Sequence, residues 1–442
     1  MNLQSTPNPA GTKLGYIWLQ PGVTRLNGVT LLYVLFVSIG LLVFLNFQQP
    51  YVLEVMLGIP AERHGRVVGQ MALVHELVLI GLVGPFGAMA DRIGRRKVLA
   101  IGYVVLAVGY MAYPYASSVA MLTAYRAIFA CGAAAIIATF TTVMTDYPQE
   151  ISRGKLVALG SILNALGLTL LAVLGGQATR WLTESGISPV GAGRIAIVAI
   201  GLIGFISAVV VMLGLRGEKL RVEHQRIPLR QLITEGFAAA GNPRIALAYA
   251  AAFVARGDVV VIGMYLSLWA QRAGADAGLA PDVAQSQAGL MLGIVSGGPL
   301  LIAWAFGILN DRIDRVTAMA WAGGLAGIGY LAFGSLSDPL LGIAIPVGVL
   351  LGCGQVATII AGQTLIGQEA EPRIAGSTLG AFNAFGALGT LIGSVGGGYL
   401  FDSWTYGGPF IMMGAASLAV MLMAMVVRLR YGVAQPVVTA VT

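Results

Sequence analysis

Five ionisable side chains stand inside stretches that are otherwise apolar: His75, Glu76, Arg126, Arg256 and Asp258. A charge in an apolar medium is costly, so each calls for a partner or a function. Protonation removes the charge of a carboxyl, so Glu76 is a candidate proton carrier, with Asp258 its counterpart further along the chain. His75 adds an imidazole whose ordinary titration lies near neutrality. The other reading of His75 and Glu76 is interhelical hydrogen bonding. Arg126 and Arg256 are candidates for binding an anionic substrate, or members of structural ion pairs. On a helix Arg256 and Asp258 lie about 200° apart, so each needs its own partner or an aqueous cavity, unless Gly257 loosens the helix. Asn46, Gln48 and Gln49 offer neutral hydrogen-bonding groups to a substrate.

Chemistry of the soluble-enzyme kind has no footing here, and no catalytic residue is assigned. No glycine-rich loop ends in Gly-Lys-Ser/Thr, so ATP drive is unsupported. His64, His75 and His224 with the separated Cys131 and Cys353 make no metal cluster, and no cofactor is expected. The cysteines are expected to stay free.

The elements that must hold these residues follow from composition. Of 442 residues, 57% are hydrophobic and 10% charged, where a soluble domain carries about 25% charged residues. The chain therefore belongs in a lipid bilayer. Its 61 glycines allow lipid-embedded helices to approach closely. The polar start of the chain has no apolar run before a cleavage site, so no signal peptide is expected.

Twelve apolar segments have about the 20 residues a helix needs to cross the hydrocarbon core. They cover 28–56, 65–89, 98–116, 118–146, 156–182 and 190–215, then 243–273, 283–309, 316–336, 339–367, 374–402 and 406–430. The expectation is an all-α membrane protein of twelve transmembrane helices in two six-helix pseudo-symmetric halves. Its parts are a tail over 1–27, a half over 28–215, a central loop over 216–242, a half over 243–430 and a tail over 431–442. Within the loop, Pro228 and the stripe Leu229, Leu232, Ile233 and Phe237 predict a short helix lying on the membrane. With the N-terminus inside, about 19 of the 26 Lys and Arg fall on the cytoplasmic side and about five outside. That places both termini and the loop in the cytoplasm. It also accounts for the net charge of +7 with no nucleic-acid partner.

The stretch Gly87-x-x-x-Asp91-Arg92-Ile93-Gly94-Arg95-Arg96-Lys97 closes the second segment and opens the third. A weaker copy returns 220 residues later, pairing Gly87 with Gly307, Asp91 with Asp311, Arg92 with Arg312 and Arg95 with Arg315. Arg153 and Arg373, Gly160 and Gly380, and Gly132 and Gly352 keep the same offset. The chain is thus a tandem duplication. An even number of helices per half makes the halves parallel repeats about an axis along the membrane normal.

This loop, the six-plus-six plan and the degenerate second copy resemble the major facilitator superfamily. Arg126 followed by Gly132 resembles that family's fourth-helix motif, with Ala130 where a first glycine is usual. The resemblance implies that Gly87, Asp91, Arg92, Gly94 and Arg95, with Asp311 and Arg312 in the copy, form a conformational latch. Asp91 would meet the start of the eleventh helix, near Gly376; Gly87 would let helices pack closely. The basic residues alone also serve as inside-retention charges. The resemblance further implies that spans 1, 4, 7 and 10 line a cavity, near which Arg126 and at least one of Arg256 and Asp258 would stand. The exporter motif Gly-Pro-x-x-Gly-Gly is incomplete, since Leu171 to Gly176 keeps only its final glycines.

The functional expectation is secondary active transport of a small molecule by alternating access in the inner membrane, by a monomer surrounded by lipid. Proton-coupled export of a small amphipathic compound stands beside proton-linked uptake of an organic anion or metabolite. A non-transporting receptor or scaffold on the same fold is a third reading.

Overall fold

The computed structural model describes residues 10–217, 229–300, 306, 313–340, 342–371 and 374–432. A small hairpin, β1 (Lys13–Leu14) and β2 (Ile17–Trp18), precedes the helices. The helices are α1 (Arg25–Tyr51), α2 (His64–Ile93), α3 (Arg95–Ala112), α4 (Val119–Asp146), α5 (Glu150–Glu184) and α6 (Pro189–Gly214). After the short α7 (Leu229–Ala238) come α8 (Pro243–Asp276), α9 (Pro281–Gly297), α10 (Arg315–Gly334), α11 (Ala344–Glu369), α12 (Ala375–Ser403) and α13 (Gly408–Tyr431). Eleven of these are long and apolar enough to cross a membrane. The twelfth, α9, is described only to Gly297. Gly307, Asp311 and Arg312 of the second motif lie outside the described residues.

Local chemistry explains where the helices begin. Thr24 and Asn27 form a reciprocal capping box at α1, and Ser118, Ser188 and Asp314 accept from the first turns of α4, α6 and α10. Pro189 and Pro243 occupy first helical positions, where a missing N–H costs nothing. Near its end α1 contains Pro50 and passes into a π-helical turn over Val52–Met56. Proline removes a ladder donor, which favours such a local rearrangement. α8 runs unbroken through Gly257, so that glycine does not loosen the helix. A Cβ there would stand 3.1 Å from the Gly389 carbonyl, which makes it a close-packing position against α12.

The chain folds as two compact units. One comprises Met1–Pro60, Leu73–Glu223 and Leu279–Gly293; the other comprises Ala61–Ala72, His224–Gly278 and Ile294–Thr442. The start of α2 therefore packs in the second unit and the start of α9 in the first, a crossing that the repeat boundaries alone do not show. In the first unit α1 packs on α5, and α3 on both α4 and α6. In the second, α8 packs on α12, and α10 on both α11 and α13. The same pairings recur, as a duplication requires. Glycine makes the tightest of them possible: Gly167 lies under the Phe36 carbonyl in the first unit, and Gly389 under the Phe253 carbonyl in the second.

The short helix expected in the central loop is present as α7. It packs on the start of α12, where Gly236 abuts the Ser377 carbonyl, and Tyr249 Oη donates to the Gly236 carbonyl at 2.7 Å. Outward faces carry Leu213, Trp321, Ile328 and Leu422, all exposed, as lipid-facing helices should.

Candidate functional site

In the first unit Arg126 sits two turns into α4 and is fully buried. Its Nη2 donates to Asn46 Oδ1 on α1. Phe129, one turn further along α4, places its ring 5.3 Å from the guanidinium carbon. Tyr110 of α3 meets that ring edge-on at 5.3 Å and spends its hydroxyl on the Leu41 carbonyl at 2.5 Å. The His75 ring lies 5.7 Å from Phe129 on the α2 side. Glu76 and Tyr113 are within electrostatic reach of the guanidinium. Four residues singled out in the sequence, Asn46, His75, Glu76 and Arg126, thus come together.

The cluster is rich in unspent donors. Arg126 Nε and Nη1, Tyr113 Oη and His75 Nδ1 are all buried without a hydrogen-bond partner among the described residues. Leaving such groups unmade costs about 1–3 kcal/mol each, more where charge is involved. Guanidinium and phenol both donate to oxygen, so an oxygen-bearing group, above all an anionic one, would answer them.

Gln48 and Gln49 go elsewhere. Both are fully buried, and Gln48 Oε1 accepts from Gln285 Nε2 at 3.0 Å, a donor that also reaches the Phe47 carbonyl at 3.2 Å. Gln48 therefore fastens α1 to the start of α9 and lies apart from the arginine cluster.

In the second unit the pair on α8 points two ways, as the helical angle requires. Arg256 is exposed, and its Nη2 donates to Asn383 Oδ1 at 3.2 Å. Asp258 is fully buried, and its carboxyl faces the Tyr330 hydroxyl of α10. No cation closes on it among the described salt bridges.

At the loop between α2 and α3, Asp91 and Arg92 are exposed. Gly94 has φ 100°, a conformation costly for residues with a Cβ, and it opens α3 as its N-cap. Arg95 forms an ion pair through Nη1 with Asp146 at the end of α4. A Cβ at Gly87 would meet nothing within 4 Å among the described residues.

Sequence reasoning did not select Tyr113, Phe129, Tyr330, Asn383 or Gln285. Phe129 had a usable signal, standing three residues from Arg126 on the same helical face. The others are joined to their partners only through the tertiary fold.

The sequence model of the Major Facilitator Superfamily matches residues 39–281 and 250–440. The chain belongs to the Major Facilitator Superfamily. It is thus a multi-pass integral membrane protein of a transporter family, and fold and family alike point away from an enzyme. Among relatives in this superfamily, the magnetosome protein MamZ of Paramagnetospirillum magneticum is 28% identical over 389 residues, covering 85% of this chain and 58% of MamZ. The chain therefore spans a little under three-fifths of MamZ. The magnetosome protein MamH of the same organism is 26% identical over 393 residues, covering 84% of this chain and 85% of MamH. Among solved structures, a point mutant of the nucleoside transporter NupG superposes with a TM-score of 0.72 over 90% of this chain and 98% of NupG. At 13% identity that likeness concerns the facilitator fold alone.

Proposed function

We propose that this facilitator-superfamily protein is a proton-coupled secondary transporter whose cargo is a small amphipathic organic anion. The observation that carries the reading is the buried Arg126 with two unspent donors beside Tyr113 and His75. Aromatic rings of Phe129 and Tyr110 around that cation would take the apolar body of the same molecule. Asp258 against Tyr330 supplies a second buried ionisable group, of opposite sign, for the coupling proton. Glu76 is an acid within electrostatic reach of Arg126: ionised, it would compete with an anionic cargo for the guanidinium's field, and protonation would remove that competition. Export and uptake use the same seat and differ only in the gradient that drives them. Alternating access of the two repeats gives each side its turn, with Asp91 and its loop as the cytoplasmic latch, the termini in the cytoplasm and the inner membrane as host. The relatives' names tie MamZ and MamH to magnetosomes.

The test is transport by the purified full chain in proteoliposomes under an imposed pH gradient, across monocarboxylates, dicarboxylates and amphipathic cations. Anion movement that follows the pH gradient, lost in Arg126→Gln and uncoupled from pH in Glu76→Gln or Asp258→Asn, is the expected result. Movement of cations alone, with Arg126→Gln unaffected, overturns the anion seat. No movement of any probe by well-folded protein returns the reading to a receptor or scaffold.

A further inference from the structure

The second unit holds a groove of about 440 Å³ that none of the polar residues above uses. Ala246, Ala250 and Phe253 of α8, Phe385 of α12, and Ala419 and Met423 of α13 line it. Among the described residues Tyr249 is its one polar lining residue, and that hydroxyl is already committed to the Gly236 carbonyl. Tyr249 and Phe385 stack at 5.0 Å and form a flat aromatic wall. The alanines among the lining residues, with no side chain beyond Cβ, leave the rest of the groove open.

The groove has a direction. On α13 its lining positions run from Ala416 to Met423, about 10 Å at 1.5 Å per residue. Arg430 stands seven residues beyond Met423. Seven residues are about two turns, so Arg430 continues the same stripe past the end of the groove. Arg428 shares the last turn, both arginines are exposed, and neither has an ion pair among the described residues. The end of α13 is held in place: Arg244 of α8 donates to the Tyr431 carbonyl at 3.1 Å and pairs with Glu369 at 3.7 Å. An apolar channel on a membrane helix, about as long as half an acyl chain and with exposed arginines about two turns beyond its end, matches one kind of molecule.

We propose that this groove is a binding site for an anionic phospholipid, with an acyl chain between α8, α12 and α13 and the phosphate at Arg428 and Arg430. A free phosphate would satisfy the arginines and leave the channel empty. A neutral lipid would fill the channel and gain nothing from the arginines. Arginines in a last turn also complement the helix dipole, but that role carries no preference among lipids. Anionic lipids gather at the cytoplasmic leaflet, the side on which the basic residues of this chain are expected. The site is independent of what the protein transports.

Native mass spectrometry of the full chain tests this, with phosphatidylglycerol and phosphatidylcholine of equal chain length as probes. Wild-type protein should retain phosphatidylglycerol about tenfold better or more, from two cations near a headgroup. The double variant Arg428→Gln/Arg430→Gln should bring the two lipids to near parity while keeping both bound. Ala419→Phe fills the groove from its exposed side and should weaken both lipids together. Unfolding temperatures within a degree or two of wild type certify the variants. Equal retention of the two lipids by wild type overturns the proposal, as does a preference that survives the double variant. So does unchanged retention in Ala419→Phe, or equal stabilisation of wild type by inorganic phosphate alone.

Discussion

The start of α2 in the second unit and the start of α9 in the first are the same element of the two repeats, fastened differently. Gly65 and Gly69 correspond, 220 residues later, to Gln285 and Gly289. On α2, Gly65 approaches Gly398 and Gly69 approaches the Ser394 carbonyl of α12. On α9, Gly289 approaches the Ala172 carbonyl, and Gly176 of α5 approaches the Gln285 carbonyl. Both contacts place small residues where the helices face, which lets backbones nearly touch. The polar fastening differs. Asp402 accepts from the N–H groups of Gly65 at 2.9 Å and Arg66 at 2.7 Å, so a carboxylate satisfies the first turn of α2. At α9 the buried Gln285 reaches instead to Gln48 and the Phe47 carbonyl of α1. Duplication kept the shape of the contact, while each copy found its own way to hold it. Shape is the shared requirement because backbone approach leaves no tolerance, whereas many polar pairs can pin a helix end.

The largest effect should come from breaking the shape. At Gly65 a Cβ would stand 2.8 Å from the Gly398 carbonyl, backbone that cannot give way. Gly65→Leu should cost about 1–3 kcal/mol or more and lower the unfolding temperature of the purified protein accordingly. Gly289→Leu should behave alike, since Ala172 backbone faces it. If either is tolerated without a shift, the shared contact is not what the two copies preserve.

Next in size is the cap. Asp402→Ala removes a charged acceptor from two N–H groups and should cost about 1–2 kcal/mol. Asp402→Asn keeps one acceptor without the charge and should recover roughly half. Hydrogen exchange at the amides of Gly65 and Arg66 should rise in the alanine variant and nowhere else on α2. Uniform acceleration along the helix would mean that Asp402 supports folding generally and does not act as a cap.

The amide contact should matter less. Gln285→Leu leaves Gln48 Oε1 buried without the donor it now has, a loss of about 1 kcal/mol. The double variant Gln48→Leu/Gln285→Leu should recover part of that, because it strands no side-chain partner and gives up only the donor to the Phe47 carbonyl. A double variant worse than the sum of its singles would show that these glutamines do more than fasten α1 to α9.

How much of this was legible in the chain depends on distance along it. The spans stand out as apolar runs of membrane length and the repeat as a fixed offset between motif residues. Arg126, His75 and Glu76 are conspicuous for being charged or titratable where lipid is expected. Tyr113 and Tyr330 are not, since a tyrosine in a membrane helix is unremarked until its hydroxyl is seen unspent or facing an acid. Gly65 and Gly69 are two among 61 glycines, and only the packing partner tells them from the rest. Asp402 is separated from Gly65 by more than 300 residues, so no window on the sequence joins them. Gly87 is the reverse case, prominent by motif yet with no close neighbour for a Cβ among the described residues.

That reversal frames the smallest structural effect and the sharpest functional one. Gly65 and Gly87 lie on one helix, and among the described residues only the first is packed against backbone. Gly87→Ala should therefore leave stability unchanged or raise it by about 0.5–1 kcal/mol, the usual gain of alanine over glycine within a helix. A latch predicts something more. If Gly87 must meet another helix closely when the cytoplasmic side shuts, the added methyl costs nothing in the conformation described here and penalises the other. Gly87→Ala would then show normal or raised thermal stability with transport reduced several-fold, and Asp91→Asn would shift the balance of conformations the same way through its lost charge. Spin-label distances between the end of α2 and the start of α12 would read the shift. Full transport with unchanged distances in both variants would reduce the motif to its retention charges and leave Gly94, with its positive φ, as the glycine the loop needs.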